Sequence, residues 1–293
     1  MSLKKISSEN FKCFLEKVNQ FPNLLTIHHS IDTEIRGLFP CSTHYAFEGK
    51  WENETIYFVY RKNIYVTPFL FIASTANSMK SIDELEKIFQ NFFDIFPEIK
   101  EESTFITIGI AFLTSTFNNW YAKYFNKESC LEYQTYLYYM NEKQKVKAKN
   151  FYFPLPKGYY FDENISDNDS LIINSTWKHA KKGDYEQTRA KLKYLPFACI
   201  KYKGEPVSFE MNDPSGFLNH QFTIEEHRRK GLGLAVELEL SKKIANIERT
   251  PYKTVELFNK SVLENSNNSQ YWTRWDDEDG NPVEFLFIPI FKN

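Results

Sequence analysis

The sequence predicts an α+β protein in two parts: a largely antiparallel sheet flanked by helices in its second half, and a related α/β domain in its first. Two observations carry this. In the second half, three β-rich runs (197–202, 206–212 and 217–224) follow one another through Lys203-Gly204-Glu205 and Asp213-Pro214-Ser215-Gly216, both good turn chemistry. At mid-chain, Pro154, Pro156 and Gly158 interrupt a charged helix end, marking residues 149–158 as a linker. The 293 residues therefore divide into domains 1–150 and 151–293.

Element by element, residues 8–19 read as an amphipathic helix, with Phe11, Phe14, Leu15 and Val18 at helical spacing. Residues 55–60 and 64–73 are strand-like in Tyr, Val, Ile and Phe. Ser81, Ile82 and Asp83 lead into a helix through Phe93, stopped before Pro97. A strand at 104–108 and helices at 118–124 and 129–147 complete this half. His28, His29 and His44 have no companion Cys or acidic cluster and read as surface or turn histidines. Beyond the linker come a strand at 159–162, helices at 166–177 and 185–194, and the three short strands. A helix at 231–246, a strand at 252–258, a polar helix containing Tyr271-Trp272 and a last strand at 283–290 close the chain.

Composition excludes several classes of function. With 36 Lys+Arg against 38 Asp+Glu the chain lacks the basic excess of a nucleic-acid binder. At 42% hydrophobic and 17% aromatic residues it has ample core material and is not disordered. No run of about 18 apolar residues is available to span a membrane. Cys13, Cys41, Cys130 and Cys199 form no C-x-x-C, so neither a metal site nor a disulfide framework is expected. The first twenty residues lack the apolar stretch of a secretory signal, which predicts a cytoplasmic protein.

One segment carries chemistry. Arg228-Arg229-Lys230-Gly231-Leu232-Gly233-Leu234 lies between a strand and a helix. Backbone N–H groups at a helix start, with glycines allowing close approach and three cations nearby, make an anion cradle. The spacing fits neither a P-loop nor a dinucleotide fingerprint, whose third glycine would fall at Val236.

As Arg228, Gly231 and Gly233, the pattern R-x-x-G-x-G resembles the diphosphate-binding motif of the GNAT superfamily of acyl-CoA-dependent N-acyltransferases. Gly204 to Ser208, the Asp213 to Gly216 turn, Glu226-His227-Arg228, Trp177 and Asn119-Trp120 further resemble the animal glycine N-acyltransferase family. The resemblance implies a GNAT fold in the second half and a related first domain without the motif. It implies acyl-CoA as co-substrate, no metal, and transfer to the amine of glycine or another small amino acid, with a mitochondrial location as an alternative to the cytoplasm. The backbone at Gln221 and Thr223 would hold the pantetheine and acyl carbonyl, and Arg228 to Leu234 the diphosphate.

The resemblance breaks at one position. The family's catalytic glutamate stands eleven residues before the motif arginine, where this chain has Phe217. His220, on the same strand, is the alternative base if a bulge turns it inward, ahead of Glu210 and Asp213. Tyr271 is the candidate proton donor to the leaving thiolate. Two competitors remain: a catalytically silent acyl-CoA-binding protein, and a GNAT acetyltransferase with another amine acceptor, such as a polyamine or protein lysine.

Overall fold

The computed structural model describes residues 3–76, 81–178 and 180–291. Its first half runs β1 (Lys4–Ile6), α1 (Phe11–Lys17), α2 (Leu25–Ile35), β2 (Ser42–Trp51), β3 (Glu54–Asn63), β4 (Phe69–Ser74), α3 (Ile82–Ile95), β5 (Thr104–Ile110), α4 (Ala111–Tyr124) and β6 (Tyr133–Tyr139). After α5 (Glu142–Lys149) the same order begins again with β7 (Tyr159–Phe161), α6 (Asp167–Ser175), α7 (Asp184–Tyr194), β8 (Phe197–Tyr202), β9 (Glu205–Asn212), β10 (Leu218–Thr223), α8 (Leu232–Asn246), β11 (Tyr252–Glu256) and α9 (Lys260–Asn267). The short β12 (Thr273–Arg274) and β13 (Glu284–Phe291) end the chain. The α+β class and the kinship of the halves are thus visible in the order of elements alone.

The halves also exchange strands. One sheet runs β1-β2-β3-β4-β5-β13-β6-β11, so the last strand of the chain lies between β5 and β6, and β6 pairs with β11. A second sheet runs β10-β9-β8-β7, all antiparallel. An aromatic core fills one face of the large sheet, where Phe47, Phe58, Phe89, Phe92 and Trp120 pack together. A second core, with Phe14, Val59, Phe71, Phe217, Tyr252 and Phe285, joins the halves.

Corresponding strand pairs differ between the halves. β4 and β5 are paired in parallel from Phe69↔Ile106 to Ile72↔Gly109. Gly109 allows this closeness, since a Cβ there would stand 2.2 Å from the Ile72 carbonyl oxygen. β10 and β11 meet only at the single bridge Phe217↔Tyr252 and then diverge. The first fork is closed and the second is open.

Several sequence expectations change. Residues 25–35 and 42–51, not read as elements, form α2 and β2. His29 and His44 are buried inside the molecule, not on turns. Residues 129–147 are not one helix: alternating Tyr-Gln-Thr-Tyr-Leu-Tyr-Tyr makes β6, and helix begins only at the Asn141 capping box. Tyr271 and Trp272 lie beyond the end of α9, in the turn before β12. No described helix is long and apolar enough to cross a membrane.

Polar side chains weld the junction of the halves. Arg61, on β3, hydrogen-bonds Asp213 and, at 2.8 Å, Ser215. Lys191 on α7 pairs with the other Asp213 oxygen at 3.3 Å. Arg249 donates to Asp32 and to Thr33 Oγ1, both at 2.7 Å, and Thr33 Oγ1 donates to the Pro214 carbonyl at 2.6 Å. Burial pushes the Asp213 carboxyl up, but Arg61 and Lys191 outweigh it and hold the group below its ordinary value. Asp213→Asn should therefore destabilise the protein by about 3–5 kcal/mol in denaturant unfolding at pH 7. A carboxyl with a depressed folded-state pKa contributes above its unfolded value, so this difference should shrink as pH falls below about 4.

Candidate functional site

The open fork places a free strand edge beside a free helix start. Beyond Phe217, β10 pairs with β9 on one side and, among the described residues, with no strand on the other, leaving an unpaired edge over Leu218–Thr223. The chain then makes a 3-10 turn (Glu225–His227) and the exposed loop 228–231. Arg229 and Gly231 both adopt positive φ, +59° and +75°. Gly231 is the N-cap of α8 and supplies no side-chain cap. The first N–H groups of α8 thus have no intrahelical acceptor and face the loop, with the positive end of the helix dipole behind them.

The cations divide their roles. Arg228 Nε donates to the Thr223 carbonyl at 2.9 Å, and Lys230 Nζ to the Glu226 carbonyl at 2.9 Å. Both therefore shape the loop while adding charge. Arg229 stands exposed. Leu232 is buried in the core, so only its backbone can meet a ligand, whereas Leu234 is exposed. Gly233 is half-buried, with Thr223 Oγ1 3.6 Å from where its Cβ would be. Gln221 Nε2 donates to the Gly233 carbonyl at 3.0 Å, and Thr223 Oγ1 bonds Ser208 Oγ at 2.8 Å. The fold therefore brings Gln221, Thr223 and Arg228 to Leu234 together, linked by these hydrogen bonds. Phe153 from the linker packs over Gly231, where a Cβ would lie 2.5 Å from the ring.

A bulge decides where His220 points. Asn219 pairs with Met211 and Phe222 with Phe209, so His220 and Gln221 together oppose Glu210. His220 has φ +57°. Asn219 and His220 consequently both face α6 and α7: Asn219 Oδ1 accepts from Lys191 at 3.2 Å, and His220 Nε2 bonds Thr176 Oγ1 at 2.8 Å. The imidazole is packed by Trp177 at 4.9 Å and Phe209 at 5.5 Å. Burial, with Lys191 nearby, lowers its pKa to about 4. At neutral pH it is uncharged and a weak base.

The other candidates are less placed for proton transfer. Phe217 is buried against Tyr252 and Phe287, with ring centroids at 6.2 and 6.3 Å. Asp213 is consumed by Arg61 and Lys191. Tyr271 packs edge-on against Phe151, and Lys147 Nζ stands 5.6 Å over its ring. Glu210 is buried next to the Glu237–Lys253 ion pair, and Gln221 approaches it at 3.5 Å. Burial and then Glu237 push its carboxyl well above the ordinary range. Sequence reasoning had missed Glu237, Lys253 and Lys191, which come together only through the fold.

Solved structures share this fold. A Drosophila protein solved by X-ray crystallography superposes with a TM-score of 0.76 over 98% of both chains, at 12% identity. A tandem GNAT protein from the clavulanic acid biosynthesis pathway covers 100% of this chain and 99% of its own, with a TM-score of 0.55 at 9% identity. A GCN5-related N-acetyltransferase from Sphaerobacter thermophilus gives 0.51 over 99% and 95%, at 10% identity. The chain has the GNAT fold. No family model matches the sequence, and these identities establish the fold alone. Within the GNAT fold of the second half, the R-x-x-G-x-G loop stands at the mouth of the open fork. A surface cavity of about 820 Å³ lies elsewhere, beside Tyr65, Ser166 and Arg189.

The lowered His220 pKa has a direct consequence. In an NMR titration its ring should show no inflection between pH 6 and 8, and should titrate only near pH 4.

Proposed function

We propose that the protein is an acyl-CoA-dependent N-acyltransferase, with residues 151–293 binding the co-substrate and residues 1–150 forming a companion domain whose fork is closed. One observation carries the reading: an unpaired β10 edge ends at an uncapped, glycine-bearing, basic start of α8. A strand edge can hydrogen-bond the amide-rich pantetheine arm as though it were another strand, and the helix start can take the diphosphate.

The chemistry asked of the site is simple in outline. The amine nitrogen attacks the thioester carbonyl carbon, a C–N bond forms and the C–S bond breaks. The sulfur leaves as a thiolate and the nitrogen sheds a proton. A free N–H of the β10 edge is the donor for the carbonyl oxygen as charge develops on it. An ammonium with pKa near 8 must first lose a proton. With Phe217 in the core and His220 lowered to about 4, that proton leaves through water, and His220 with Trp177 walls the site. The acceptor in this reading is a small amine, of which an amino acid is the one implied by the resemblance to the glycine N-acyltransferases.

The second reading, a protein that binds acyl-CoA without turning it over, is favoured by the ring that occupies the position of the family's carboxylate. Thiol release from acetyl, benzoyl and medium-chain acyl-CoAs, offered with amino acids and polyamines, separates the two. Amine-dependent release supports the enzyme; tight binding without release supports the silent protein.

CoA affinity should also respond to the loop. Removing two of the loop's cations in Arg229→Ala/Lys230→Ala should weaken CoA binding by about 10- to 100-fold in calorimetry, the scale of one charge-assisted hydrogen bond. The wild-type affinity should fall with added salt. Unchanged affinity would place the diphosphate elsewhere.

A further inference from the structure

Buried polar atoms without partners are rare in folded proteins, and a group of them at one place calls for a water, an ion or a ligand. Such a group lies at the junction of the halves, on the seam formed by α7, the ends of β2 and β3 and the turn 213–216. Arg61 Nε and Nη2, Asn63 Nδ2, Ser42 Oγ, His44 Nε2, Asn212 Oδ1 and Gln187 Oε1 are all buried and unpartnered. Each residue is at least nine-tenths buried. The register brings them together: His44 faces Arg61 and Ser42 faces Asn63 across β2 and β3. Asn212 adjoins Asp213, the partner of both Arg61 and Lys191, and Gln187 lies one helical turn before Lys191.

The free donors of the group, on Arg61 and Asn63, call for an anion, and the amide oxygens of Asn212 and Gln187 are free acceptors beside them. Arg61 lies with its guanidinium carbon 4.3 Å over the Phe69 ring, and its Nη1 serves Asp213 and Ser215. What remains is the Nε–Nη2 edge, the side of a guanidinium that holds a carboxylate through two parallel N–H···O bonds. Asn63 spends its Oδ1 on the Tyr65 and Val66 N–H groups and keeps its Nδ2 donor free. Two buried cations, Arg61 and Lys191, share the one buried carboxylate of Asp213. Glu34, at the partly exposed rim, is taken by the His44 N–H and Nδ1. A surface cavity of about 820 Å³ has Cys41, Tyr65 and Glu186 in its wall, each one or two residues along the chain from a member of the group, while the group itself lies behind that wall.

We propose that this junction is a binding site for a small carboxylate, held side-on by Arg61 and by Asn63 Nδ2. The ligand is either a free carboxylic acid or the carboxylate end of a molecule that also bears an amine. Lys191 links the site to the bulge through Asn219, so a bound anion would be felt one residue from His220. The site does not depend on acyl-CoA chemistry and stands or falls separately from it.

Titration calorimetry and thermal melting of the full chain with sodium acetate, glycine and methylamine test it. Acetate or glycine should bind and raise the melting temperature, and methylamine should do neither. Equal binding of acetate and glycine identifies a free carboxylate as the ligand; binding of glycine alone identifies one carrying an amine. Because Arg61→Gln removes the Asp213 partner and can unfold the chain, the decisive variant is Asn63→Asp. It keeps the oxygen that caps Tyr65 and Val66 but puts a negative charge where the free donor stood, and should weaken the carboxylate at least tenfold. Arg229→Ala/Lys230→Ala should leave carboxylate binding unchanged. Absence of binding by both carboxylates, or Asn63→Asp binding like the wild type, would overturn the proposal.

Discussion

The Arg61–Asp213 ion pair is the constraint on which the rest of the molecule depends. It ties a strand of the first half to the turn that launches β10, and Lys191 ties the same carboxylate to α7. Tyr252, at the start of β11, donates its hydroxyl to the Ser215 carbonyl in that turn at 2.6 Å. β10 and β11 are therefore pinned together at their base. A buried ion pair adds little net stability over an apolar substitute, but leaving one partner alone is costly. Its effect here is on geometry: it fixes the turn, and the turn fixes the angle from which the fork opens.

The same order of elements yields two different forks because of what lies between the strands. In the first half Phe69 to Ile72 pair with β5 and leave no free edge. The segment between β4 and α3, residues 75–81, contains no glycine. In the second half the strand edge is free, and two positive-φ residues turn the chain so that the α8 N–H groups face outward. Strand exchange through β13 and β6 then makes the halves one body. The site is asymmetric although the architecture repeats.

Much of this was legible in the sequence where the determinants are local. The turns around Gly204 and Gly216, the helix start at Gly231 and the meander between them follow from residue chemistry within a few positions. The order of elements in the second half followed as well. What escaped depends on distant neighbours. Residues 133–139 read as part of a helix because charged helix formers follow them, yet pairing with β11 and β13 makes them a strand. Arg61 falls between the two runs read as strands, and nothing near it in sequence announces Asp213, 152 residues away. The bulge at His220 was conceivable from the strand but not readable from it, since the left-handed backbone there is set by the pairing of β10 with β9. His29 gave no sign of burial because residues that enclose it, Gly216 and Thr250, lie in the other half.

The central claim is that the unpaired β10 edge and the start of α8 form one binding surface for acyl-CoA. Backbone hydrogen exchange with and without CoA measures this most directly. The account predicts that added CoA slows exchange in two segments, residues 218–223 and 229–234, and leaves the closed fork at 69–72 and 106–109 unchanged. Slowing confined to other segments, or none in either of these two, would contradict it.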